Sequence, residues 1–120
     1  MAITNFTEIE SWKESRELVK LIYRITLTGK FSKDYGLKDQ IQRAAVSIMN
    51  NIAEGFDSGS SRSFCNFLNY SYRSVSEVES LLYIAFDLTY INEKAFEDLH
   101  LRTTKIKNLI RGFIKYLKSS

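Results

Sequence analysis

The sequence predicts an all-α protein, a four-helix bundle, and three observations predict it. Apolar residues recur three and four positions apart in four separate segments, the spacing that gathers them on one face of a helix. Proline is absent from all 120 residues, and glycine falls mainly where helices should stop. β-Branched residues never alternate in a sustained run, which leaves no strand to expect. Amphipathic helices joined by short loops favour an up-down-up-down order. A chain of 120 residues can bury a core as one domain, 1–120.

The first helix is expected over about residues 11–28, with Ser11 as its N-cap and Gly29 as its terminator. Its apolar stripe is Leu18, Val19, Ile22 and Ile25, with Trp12 and Thr26 at the edges. The second is expected over 37–54, with Gly55 as a C-terminal glycine, and it aligns Leu37, Ile41, Ala44, Ala45, Ile48 and Ile52 on one face. A polar loop, Asp57-Ser58-Gly59-Ser60-Ser61, leads into the longest helix, 61–89. There Phe64, Phe67, Leu68, Ser71, Val75, Val78, Leu82, Ala85 and Phe86 line the core face. The fourth helix, 93–118, starts after the N-cap Asn92 and turns inward Phe96, Leu99, Ile106, Leu109, Ile110, Phe113 and Leu117. Gly112 lies inside it, at a cost of about 1 kcal/mol relative to alanine.

A hydrophobic fraction of 44% and a charged fraction of 26% belong to a folded globular chain. Cys65 is alone and cannot form an internal disulfide, which suits a reduced cytoplasmic setting. The start, Met1-Ala2-Ile3-Thr4-Asn5-Phe6, has neither a basic region nor a long apolar run, so no signal peptide is expected. No stretch approaches the roughly 18 apolar residues that cross a membrane.

The third helix carries more apolar surface than one core needs. Tyr70, Leu81, Ile84 and Leu88 cluster away from its main stripe, which is expected of a helix buried between subunits; edge positions of a wide core stripe are the competing explanation. On the second helix Gln40, Arg43, Ser47, Asn51 and Glu54 form a polar line on the border between core and solvent. It suits hydrogen bonding across a subunit seam, or an ordinary solvated face.

Catalytic signatures are missing. The chain has no GxSxG, HExxH, CxxC or glycine-rich phosphate loop, hence no cofactor motif and no expected enzyme activity. Glu77 and Glu79 are two apart and diverge on a helix. Glu97 and His100 stand at i, i+3 without a matching pair elsewhere, so no metal site is expected. Cys65 is expected near the surface, with no basic neighbour in sequence to activate it.

Charge is unevenly distributed. From Leu101 onward six basic residues (Arg102, Lys105, Lys107, Arg111, Lys115, Lys118) meet no acid, so the rest of this +3 chain carries −3. Lys107, Arg111, Lys115 and Lys118 fall at i, i+4, i+8 and i+11 on one side of the fourth helix, and no acid interrupts this stripe, so its field is not cancelled locally. His100 projects nearly the same way. Such a stripe is a footprint for phosphate contacts, or a solvated helix face. The line Lys13, Arg16, Lys20 and Arg24 differs, because Glu10, Glu14 and Glu17 lie within a turn of it. Most aromatics are committed to the core; Tyr72, Tyr83 and Tyr116 are the candidates for base stacking.

Several runs carry a family resemblance: Trp12-Lys13-Glu14-Ser15-Arg16-Glu17-Leu18-Val19, Tyr35-Gly36-Leu37, Gln40-Ile41-Gln42-Arg43-Ala44-Ala45-Val46-Ser47-Ile48 and Asn51-Ile52-Ala53-Glu54-Gly55. Phe64, Phe67-Leu68, Ser74, Glu77 and Glu79 extend it more loosely. The sequence resembles the four-helix-bundle proteins encoded in intervening sequences of bacterial 23S ribosomal RNA genes. That resemblance implies a homopentamer. It also implies kinship with the accessory variability proteins of diversity-generating retroelements, basic pentamers that bind nucleic acid and a reverse transcriptase. The chain departs from the pattern where Met49-Asn50 replaces a usual proline and where Gly29-Lys30 replaces a Phe-Pro pair. Ser58 stands where a basic residue is usual, and Arg73 where a glycine is.

The expected function is therefore oligomeric binding of nucleic acid, RNA or DNA, or of a ribonucleoprotein. Lys107, Arg111, Lys115 and Lys118 are its main contacts, and Arg43 and Arg102 are secondary. A structural or adaptor oligomer that binds a protein partner is the alternative.

Overall fold

The computed structural model describes residues 3–119 and, among these, has four long helices and no strand. Met1 and Ala2, at the start read as lacking a signal, and Ser120 lie outside the described residues. The helices are α1 (Glu10–Thr26), α2 (Tyr35–Phe56), α3 (Ser61–Asp87) and α4 (Glu93–Ser119), with short 3-10 turns at Phe6–Glu8 and Gly29–Lys33. Each helix packs on the next, and α1 packs on α4, so the bundle closes around one core. Leu18, Ile22, Ile41, Ile48, Ile52, Leu68, Val75, Leu82, Ile106 and Ile110 fill that core. No helix among the described residues is long and apolar enough to cross a membrane.

The helix ends differ from the sequence reading for identifiable reasons. Ser11 is not the cap of α1. The helix starts at Glu10 behind Ile9, and Ser11 is buried with its Oγ lacking a hydrogen-bond partner. A turn capped by Asn5 and Glu8 precedes it: Asn5 accepts from the Thr7 amide and Glu8 accepts from the Asn5 amide, a reciprocal box. Hydrogen bonds from the Thr4 hydroxyl and amide, and then that from the Asn5 amide, hold the Glu8 carboxyl below its ordinary pKa. Helix α1 stops at Thr26, before Gly29. Gly29 instead opens the next turn with φ of 60°, and that turn drives Phe31 fully into the core.

Helix α2 begins two residues earlier than expected because Asp34 caps it, its Oδ1 accepting from the Leu37 amide at 3.1 Å. The other oxygen of Asp34 accepts from the Tyr90 hydroxyl at 2.9 Å, while the Tyr90 ring packs 5.3 Å from Phe31. This bond and burial hold the Tyr90 hydroxyl in its protonated form, pushing its pKa upward. One carboxylate thus ties the start of α2 to the connection between α3 and α4.

Gly55 is not a terminator. It lies within α2 and is buried, and a Cβ there would stand 2.7 Å from Phe67 Cβ and 2.8 Å from Phe64 Cδ1. The missing side chain lets α3 come close. Along the same seam Ser71 Oγ donates to the Ile48 carbonyl at 2.8 Å, and the Ser47 and Ser74 hydroxyls meet at 2.9 Å. Gly112, by contrast, faces open space.

Helix α3 ends at Asp87, not at 89, in a left-handed turn that falls on Thr89, with φ of 59°. The Tyr90 amide reaches back to Ala85 O and the Thr89 amide to Phe86 O, the double bond of a Schellman ending. A β-branched residue in that conformation is strained. Asn92 caps α4 as expected, accepting from the Ala95 amide at 2.8 Å.

Two predictions follow from these backbone positions. Gly55→Ala should lose about 1–3 kcal/mol to overpacking, whereas Gly112→Ala should gain up to about 1 kcal/mol from helix propensity. Urea titration of both variants checks this, and a gain at Gly55 equal to that at Gly112 would refute the close approach. Thr89→Gly should raise the urea midpoint by relieving about 1 kcal/mol of strain; a lowered midpoint would show that the turn imposes none.

Candidate nucleic-acid interface

The basic stripe on α4 lies beside α3, and the two helices meet through aromatic rings at one end. Phe64 and Phe113 stand edge to face with centroids 5.1 Å apart. Further along, Tyr72 of α3 projects towards α4, where Lys107 Nζ sits 5.2 Å and Arg111 Cζ 4.9 Å from its ring centre. Arg111 also donates to the Tyr72 hydroxyl. The ring face attracts both cations, so two of the four stripe residues are held in place by one tyrosine.

Lys107 is not free to contribute an uncompensated charge. Its ammonium pairs with Glu79 of α3 at 2.5 Å, and both side chains are mostly buried. Glu79 also accepts from the Thr103 hydroxyl at 2.9 Å. No acid on α4 interrupts the stripe, but Glu79 reaches it from the neighbouring helix, and this corrects the expectation that the stripe's charge stands uncancelled. Sequence spacing along one helix cannot reveal a partner on another. Lys115 and Lys118 are exposed, and neither forms an ion pair among the described residues.

Across the seam, α3 adds basic residues that the sequence reading did not select. Arg62 and Arg73 are exposed on its outer face, with Asn66 and Asn69 between them at helical spacing. No Asp or Glu occurs from Ser58 to Ser76, nor from Leu99 onward. The signal was present as this acid-free run, but its relation to α4 exists only once the helices pack. Ser61, Arg62, Cys65, Asn66, Asn69, Leu117 and Lys118 line an open cavity of about 290 Å³. Cys65 forms part of its wall and is buried, not near the surface as expected.

The secondary candidates separate from this flank. Arg102 lines a larger groove of about 620 Å³ between α1 and α4, together with Glu14, Asp98, Lys105 and apolar Leu21, Ile25 and Leu101. Lys105 pairs there with Glu14 at 3.3 Å. Arg43 is exposed on α2, which packs against α1 and α3. His100 is exposed and stacks on Phe96. Of the stacking candidates, Tyr72 is engaged by cations and Tyr83 lies against Phe96, whereas Tyr116 is half exposed beside Phe113.

The candidate oligomer residues also divide. Leu81 is 5% exposed and belongs to the core, because it adjoins Val78, Leu82 and Ala85 on a wider stripe than the spacing suggested. Tyr70, Ile84 and Leu88 remain open at 49%, 43% and 47%. Ser47 and Asn51 are engaged within the chain: Ser47 meets Ser74, and the Asn51 amide donates to the Ser47 carbonyl and hydroxyl. Gln40 and Glu54 are exposed.

Four packed helices with a basic flank along α3 and α4 define a small helical-bundle protein. The chain belongs to the 23S rRNA-intervening sequence protein family, whose model matches residues 7–112. It is similar to a protein of unknown function from the S23 ribosomal protein family of Bacteroides thetaiotaomicron VPI-5482. The two are 27% identical and superpose with a TM-score of 0.79, over 88% of this chain and 98% of that one. No curated protein matches the chain.

The Glu79 clamp has a measurable weight. Glu79→Gln should cost about 1–3 kcal/mol, the range for a hydrogen-bonded charge left without its partner. Urea unfolding checks this; an unchanged midpoint would mean that Lys107 and Thr103 find other partners at no cost.

Proposed function

We propose that the protein is a non-catalytic oligomer that binds nucleic acid, RNA or a ribonucleoprotein, through phosphate contacts on the flank formed by α3 and α4. One observation carries this reading: Arg62, Arg111, Lys115 and Lys118 share a flank on which neither helix supplies an acid between Ser58 and Ser76 or after Leu99. Phosphate backbones are attracted to such a surface without regard to sequence. Lys107 then supports the surface by fixing Tyr72 and Glu79, and Arg111 binds from a position that Tyr72 defines.

Self-association multiplies these contacts. Ile84 and the neighbouring Leu88, with Tyr70 about four turns away along α3, are exposed apolar residues available for it, and the family resemblance supports five copies of an up-down-up-down bundle in the cytoplasm. The groove lined by Leu21, Ile25, Leu101 and charges of both signs favours a second reading, in which the oligomer is an adaptor for a protein partner.

Fluorescence anisotropy with a short RNA at two salt concentrations tests the proposal. Affinity should fall as salt rises, with a logarithmic slope of about −2 to −3 for three or four neutralised phosphates on a single strand. Lys115→Glu combined with Lys118→Glu should weaken binding at least about tenfold, whereas Arg43→Glu should change it by less than about twofold. Light scattering on the same sample reads the subunit number. An oligomer without affinity for RNA or DNA would transfer the function to the protein-binding reading.

A further inference from the structure

The cavity between the start of α3 and the end of α4 has a composition that charge neutralisation alone does not require. Two cations, Arg62 and Lys118, stand at it together with two primary amides, Asn66 and Asn69, while Cys65 and Leu117 make an apolar wall. Neither amide has a hydrogen-bond partner among the described residues, and both are exposed. An asparagine amide offers donors and an acceptor in one plane, the pattern found on the edge of a nucleobase. The apolar wall suits the flat face of a base, and the cations suit its phosphate.

Size restricts the ligand further. At about 290 Å³ the open cavity lies just below the roughly 300–1,000 Å³ range of ligand pockets. It has room for about one nucleotide. A base held in a helix cannot enter, because its edge is paired and its faces are covered by neighbours.

We infer that this cavity captures one unpaired nucleotide of single-stranded RNA, with its phosphate between Arg62 and Lys118 and its base edge on Asn66 and Asn69. The inference rests on the proposed function, and it adds a preference: the flank attracts any polyanion, whereas the cavity selects a strand with a free base.

The test compares a short fluorescein-labelled single-stranded RNA with a blunt RNA duplex of the same length, using the full chain. The native protein should prefer the single strand by at least about fivefold, the scale of one base contact. Asn66→Ala combined with Asn69→Ala should abolish that preference while duplex affinity stays within about twofold. Both positions are exposed on a helix, so the variant should keep its fold, which circular dichroism verifies. Equal affinity for the two RNAs, or a preference that survives the double substitution, would overturn the cavity assignment while leaving backbone binding intact. Absence of binding to either RNA would overturn both.

Discussion

Two helices can approach within reach of a serine hydroxyl only where the side chains between them are small, and α2 and α3 meet that condition along most of their length. Ser47, Gly55, Ser71 and Ser74 lie on the seam, and Ser71 bonds directly to the backbone of α2 at Ile48. The rest of the bundle takes its dimensions from this contact. With α3 drawn against α2, Phe64 and Phe67 fill the space over Gly55, and Phe64 then meets Phe113. That places the last turns of α4 beside the first turns of α3, which is what creates the basic flank. A larger residue at 55 would alter packing on the opposite side of α3, at the surface where charge collects.

Much of this was legible in sequence. All six apolar positions expected on α2 are buried, and on α3 the inward set from Phe64 to Ala85 is correct, with Phe67 and Phe86 half buried. Periodicity succeeds here because a long amphipathic helix reports its own inward direction. What it cannot report is chemistry arising between helices. The Glu79–Lys107 pair, the Asp34–Tyr90 bond and the Tyr72 contacts join residues from 28 to 56 positions apart in the chain. Gly55 misled for a related reason: a glycine near a helix end reads as a stop, and only the neighbouring helix reveals that it is a point of close approach. Ser11 misled in turn because a serine before an apolar run resembles a cap, although the capping box sits earlier, at Asn5 and Glu8.

The candidate site was legible as charge and illegible as geometry. Spacing identified four cations on α4, and that alignment is sound, but their roles differ once α3 is beside them. Lys107 is bound to an acid and Arg111 to a ring, so each trades freedom for a fixed position. Lys115 and Lys118 are exposed and form no ion pair among the described residues. A surface that combines anchored and free cations can fix the register of a phosphate chain at one point and tolerate variation at the next. Arg62, Asn66 and Asn69 complete the arrangement from α3, where no basic periodicity announced them.

The seam between α1 and α4 differs from the others. Where α2 and α3 interlock, α1 and α4 stand apart over a groove of about 620 Å³, bridged at its rim by Lys105 and Glu14. Exposed ion pairs of this kind resist separation weakly. The cooperative unit of the fold is therefore α2 with α3, while α1 is attached mainly along one side. In such a protein amide protons should not exchange at a single rate. Those of the first helix would be released by partial opening, at a free energy below that of global unfolding, while the central pair stays protected until the whole chain unfolds.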